Sequence, residues 1–92
     1  MSTKMEYKGI KGQALSIIKE ESVSNAEFTF LANEKKHILT LLDIQDIVDV
    51  SHLIEAKEFW IDYHPEKNGK FVLTLLHEYG VEIEVSNYAI NS

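Results

Sequence analysis

Proton transfer near neutral pH and metal binding both draw on histidine, and this chain offers four, His37, His52, His64 and His77. A zinc-type centre needs such residues close in sequence, as in H-x-H or H-E-x-x-H, or pooled with cysteine. None of the four is so spaced and there is no cysteine, so no metal and no cofactor is expected. His77-Glu78 is an adjacent pair, which on a strand would point to opposite faces. No serine sits in a nucleophile elbow, and the glycines at 9, 12, 69 and 80 form no phosphate loop. Carboxylates are plentiful, but an alternation such as Glu82/Glu84 is the signature of a solvated strand face, whereas paired catalytic acids need facing positions in a desolvated pocket. No catalytic residue is assigned, and the expectation is a protein that is not an enzyme.

What remains is surface. The formal charge is −6, and all nine basic residues are lysine. Without arginine there is no planar fork to clamp a phosphate bidentately or to read guanine in a major groove, so direct nucleic-acid binding is disfavoured. An acidic surface repels the phosphate backbone and instead suits basic patches on other proteins, including those built to hold nucleic acid. The lack of cysteine favours a reducing compartment. Lys4, Glu6, Lys8, Lys11, Lys19 and Glu20 leave no apolar stretch at the start for a signal peptide or membrane span. The sequence therefore predicts a soluble cytoplasmic protein.

The elements that must position this surface are written nearly twice. Residues 27–42 read EFTFLANEKKHILTLL and residues 58–76 read EFWIDYHPEKNGKFVLTLL. Each holds Glu-Phe, an alternating stretch, a polar break and an aliphatic Leu-Thr-Leu-Leu run, and such self-similarity defines a supersecondary unit. The unit reads as a β-hairpin followed by a short acidic return strand, Ile47–Ser51 in the first copy and Glu82–Ser86 in the second. In the second hairpin Asn68-Gly69 supplies the positive φ of a tight turn. A three-residue loop over 67–69 sets Tyr63 opposite Leu73 and Ile61 opposite Leu75. Phe59, Ile61, Tyr63, Leu73 and Leu75 then form the core face, with Trp60, Asp62, His64, Val72, Thr74 and Leu76 opposite. A helix over 71–79 ending at Gly80 is the rival for the second aliphatic run.

Before the repeat, Ile10, Ala14, Ile17 and Ile18 recur at helical spacing, predicting an amphipathic helix over about 12–22; a strand beginning near Tyr7 is the competing reading. The tail 88–92 is expected to be loose. Together these predict one α+β domain over 1–92: an antiparallel meander of five or six strands in two similar units, about 26–52 and 57–87, with one N-terminal helix. A small, partly closed β-barrel is the alternative architecture.

A lone tryptophan beside acidic and imidazole groups suits an interface anchor, against the plainer reading that Trp60 packs on Val72 and Leu76. The partner-binding residues expected are Trp60, Asp62, His64, Asp46, Asp49, Glu82 and Glu84. The leading function is a stoichiometric inhibitor or antagonist of a larger macromolecule, of the immunity or phage anti-defence type, binding a protein partner with a basic surface. The alternatives are a homo-oligomeric accessory module, such as a homodimer, whose strand edges pair, and a small-molecule-binding domain using His64 or His77.

Overall fold

Both copies of the repeat fold as antiparallel hairpins. In the computed structural model, which describes residues 5–67, 69–76 and 80–92, the first is β3 (Val23–Ala32) with β4 (Lys35–Ile44) and the second β5 (Glu58–His64) with β6 (Lys70–Leu76). The first turn is two residues long, and Asn33 and Glu34 both hold positive φ, 53° and 65°. That is the pattern of a tight hairpin turn whose twist matches its strands. The second is longer: a 3-10 turn, Pro65–Lys67, precedes Gly69, and His64 pairs with Lys70. Ile61 consequently faces Leu73 and Phe59 faces Leu75, a slip of two residues from the predicted register. A slip of two preserves the faces where a slip of one would exchange them, so Phe59, Ile61, Leu73 and Leu75 are all buried as expected. Tyr63 is the exception, 39% exposed at the sheet's end.

The strand that joins the hairpins is β7 (Val81–Asn91), which pairs with β6 through its first half and with β4 through its second. Adding β1 (Met5–Lys8) outside β5 and β2 (Lys11–Glu20) outside β3 gives one seven-stranded antiparallel sheet, ordered β1-β5-β6-β7-β4-β3-β2. The count exceeds the five or six expected. β1 and β2 stand at opposite ends of this order, so the sheet is open. It is nonetheless curled, since Tyr7 of β1 lies 5.3 Å, ring centre to ring centre, from both Phe30 and His37 of the first hairpin.

Three sequence expectations are corrected. Residues 12–22 are not a helix: Lys11–Glu20 is strand, followed by a turn at Glu21-Ser22. An extra residue, Gln13, interrupts the β2–β3 ladder between Gly12 and Ala14, and such a bulge places the inward residues Gly12 and Leu15 three apart, imitating helical spacing. The predicted return strand Ile47–Ser51 is instead the start of a 3-10 helix, Ile47–Ile54. Asp46 caps it by accepting a hydrogen bond from the Val48 N–H (3.0 Å), satisfying a donor that helix starts leave free. The tail is not loose either, because Tyr88–Asn91 continues β7 opposite Leu41–Ile38.

β7 and β4 change inward phase together. Val81, Ile83 and Val85 face the core in the first half of β7, and Tyr88 and Ile90 in the second; on β4 the switch falls between Leu41 and Ile44. At the break Asp43 holds φ 55°. Its N–H donates to Asn25 Oδ1 (2.9 Å), and its carboxylate accepts from the Ser86 hydroxyl (2.7 Å).

The core lies on one side of the sheet. Phe28, Phe30, Leu39 and Leu41 from the first hairpin meet Phe59, Ile61, Leu73 and Leu75 from the second, and the 3-10 helix contributes Val50 and Leu53 to the same cluster. Each such side chain contributes about 1.5–3 kcal/mol through burial. Phe30 is the junction: its ring stands edge-on to Tyr7 and Phe59 and stacks on Phe28 and His37. Gly12 permits the 3-10 helix to dock, since a Cβ there would sit 2.9 Å from the Ile54 carbonyl oxygen and 3.0 Å from the Phe28 ring.

Candidate protein-binding face

With the core on one face, alternation sends the remaining side chains of β1, β5, β6 and β7 to the other. The registers align Glu6, Trp60, Thr74 and Glu82 across four strands in one row. The next row holds Asp62, Val72 and Glu84, and the row beyond it His64 and Lys70. Four of the expected partner-binding residues, Trp60, Asp62, Glu82 and Glu84, therefore lie side by side, with His64 at the margin of the group.

Trp60 is half-buried, between the exposed anchor and the packed residue that the sequence allowed. Val72, diagonally across from it, is 2% exposed although it belongs to no part of the main core. The outward face thus has an apolar centre with carboxylates around it, the composition from which interface anchors are built. Glu82 is exposed, and Asp62 and Glu84 half-buried. Glu6, on β1, was missed by sequence reasoning because four residues near the chain's start carry too short a pattern to read as a strand; only the pairing of β1 with β5 brings it beside Trp60. It forms an ion pair with Lys8 (3.2 Å). The Lys8 ammonium is held above its ordinary pKa by that hydrogen bond, then by attraction to Glu6 and to Glu58.

Asp46 and Asp49 do not join this face. They belong to the 3-10 helix and its cap, the element that supplies Val50 and Leu53 to the opposite side. The two acidic groups of the repeat are accordingly unlike, one on a helix and one on a strand. His64 stands at the hairpin end, where its Nδ1 lies 2.7 Å from Glu66 Oε1. His77 and Glu78, with the rest of the proposed helix end, lie outside the described residues, while Lys70–Leu76 is strand.

Among the described residues no group of three or more histidines and acids is placed to hold a metal, and no helix is long and apolar enough to cross a membrane. An opening of about 410 Å³ lies between β1 and the first hairpin turn, lined by Glu6, Tyr7, Lys8, Ala32 and Asn33. His37 lies beside Tyr7 and stacks on Phe30, its Nδ1 buried and without a hydrogen-bond partner among the described residues. No family model matches the chain, and no curated protein or solved structure matches it.

Proposed function

We propose that the chain is a protein-binding module that acts as a stoichiometric inhibitor or antagonist, docking its outward β1-β5-β6-β7 face on a basic surface of a larger macromolecule. The observation that carries this reading is the alignment of Glu6, Trp60 and Glu82 in one row and Asp62 and Glu84 in the next, around buried Val72. A net charge of −6 without arginine points the same way, because complementary potentials steer association and select partners. A surface that otherwise holds nucleic acid has the required charge.

The test is affinity capture from the lysate of the organism that makes the protein, at low and high salt, with wild type and Glu82→Lys. The expected result is one stoichiometric partner, released by salt and weakened at least tenfold by the substitution. A partner held equally at both salt concentrations, or equally by both proteins, overturns the reading.

A further inference from the structure

We propose that the chain forms a twofold dimer through the free edge of β2, with Ser16 on the axis. Among the described residues β2 ends the sheet and pairs only with β3. It is ten residues long, whereas β1 at the other end has four, including Glu6 and Lys8. Natural sheets usually blunt such an edge with charge, proline or irregularity. Here Gly12–Ile18 is a run of seven uncharged residues in a chain of net charge −6, and its one irregularity, the bulge at Gln13, lies at the beginning. Ile17 and Ile18, on opposite faces, are 44% and 48% exposed.

The backbone is set for a partner strand. Glu20 and Val23 close the two-residue turn as a hydrogen-bonded pair, and alternation then aims the main-chain groups of Leu15, Ile17 and Lys19 away from β3. The strand also specifies which occupant fits. Under a twofold through Ser16, Leu15 of each copy meets Ile17 of the other on the core face, and Ala14 meets Ile18 on the outward face. Each copy's Lys11 end reaches the other's Glu20-Glu21 end, so opposite charges meet at both ends. A shift of one residue would set core-facing against outward residues. A shift of two would set Ile17 against itself and leave Leu15 facing Lys19, or set Leu15 against itself and leave Ile17 facing Gln13. Only the Ser16 register matches all four apolar side chains with apolar partners, a self-complementarity that an unrelated peptide would not share. The edge is separate from the Trp60 face, so the dimer stands or falls independently of the inhibitor reading.

The experiment is sedimentation equilibrium of the full chain over a range of concentrations, with Ser16→Lys and Ser16→Cys. Wild type is expected at twice its 10.6 kDa mass. Ser16→Lys, which sets two ammonium groups against each other on the axis, is expected to raise the dimer dissociation constant at least tenfold while keeping the β-sheet circular dichroism spectrum. In this cysteine-free chain Ser16→Cys introduces a single thiol. Directly opposed Cα atoms of a non-hydrogen-bonded pair lie about 4.5 Å apart, within disulfide reach, so mild oxidation is expected to convert it to a covalent dimer. Wild type sedimenting at 10.6 kDa throughout, a dimer indifferent to Ser16→Lys, or Ser16→Cys remaining monomeric under oxidation would overturn the proposal; the cross-link decides the matter even if the lysine variant fails to fold.

Discussion

The two hairpins are alike inside and unlike outside. On the core face the first supplies Phe28, Phe30, Leu39 and Leu41 and the second Phe59, Ile61, Leu73 and Leu75, all buried in one cluster. On the outward face the first carries Glu27, Thr29, Ile38 and Thr40, and the second carries Trp60, Asp62, Val72 and Thr74. Folding constrains the inward set to one chemistry, apolar and of fitting size, whereas the outward set can diverge at little cost to stability. The outward difference is therefore where a difference in role between the hairpins is expressed. β7 extends that difference, placing Glu82 and Glu84 beside the second hairpin and the exposed Asn87 and Ala89 beside the first.

Substitutions can break this comparison from its strongest side. Phe28→Ala and Phe59→Ala, each removing a fully buried ring, should both destabilise by about 3–5 kcal/mol, read as the shift in urea unfolding midpoint. A loss confined to one hairpin would show that the inward faces are not equivalent. Gly12→Ala should cost about 1–3 kcal/mol by overpacking, because the Ile54 carbonyl, which belongs to backbone, must move to admit the Cβ. Conversely, Glu34→Gly should stabilise by about 0.5–1 kcal/mol, since a non-glycine residue at φ 65° carries strain in the first turn that glycine relieves. Asp62→Asn and Glu82→Gln should stay within about 0.5 kcal/mol of wild type in the same unfolding assay while weakening partner capture, which separates the outward face from the core.

Legibility in the sequence followed burial. Strands with one dry and one wet face alternate plainly, so the two hairpins, the inward Val81, Ile83 and Val85 and the outward Trp60, Asp62, Glu82 and Glu84 could all be read from the chain. β2 could not. As an edge strand it is wet on both sides over most of its length, leaving little alternation; its bulge interrupts what there is, and apolar residues from both faces, Ile17 inward and Ala14 and Ile18 outward, fall with Ile10 at spacings that mimic a helix. The helix that does exist hides behind the alternation of Ile47, Val48, Asp49 and Val50. What marks it is the cap at Asp46, together with Val50 and Leu53 spaced three apart on the core side, a signal shorter than the periodicity it competes with. The end of β7 was lost for a third reason: the change of phase at Ser86-Asn87 interrupts the pattern that Tyr88 and Ile90 resume. For the binding face, residue types and alternation found the centre, but Glu6 enters only through a pairing between strands more than fifty residues apart, which local pattern does not encode.

The measurement that bears most directly on the difference between the hairpins is a matched pair of charge reversals, Asp62→Lys outward on the second and Glu27→Lys outward on the first, compared for partner capture from the same lysate with the unfolding midpoint as control. Loss of capture with Asp62→Lys and retention with Glu27→Lys, at unchanged midpoints, is the predicted result. Equal loss with both, or loss with Glu27→Lys alone, would contradict the assignment of binding to the face around Trp60.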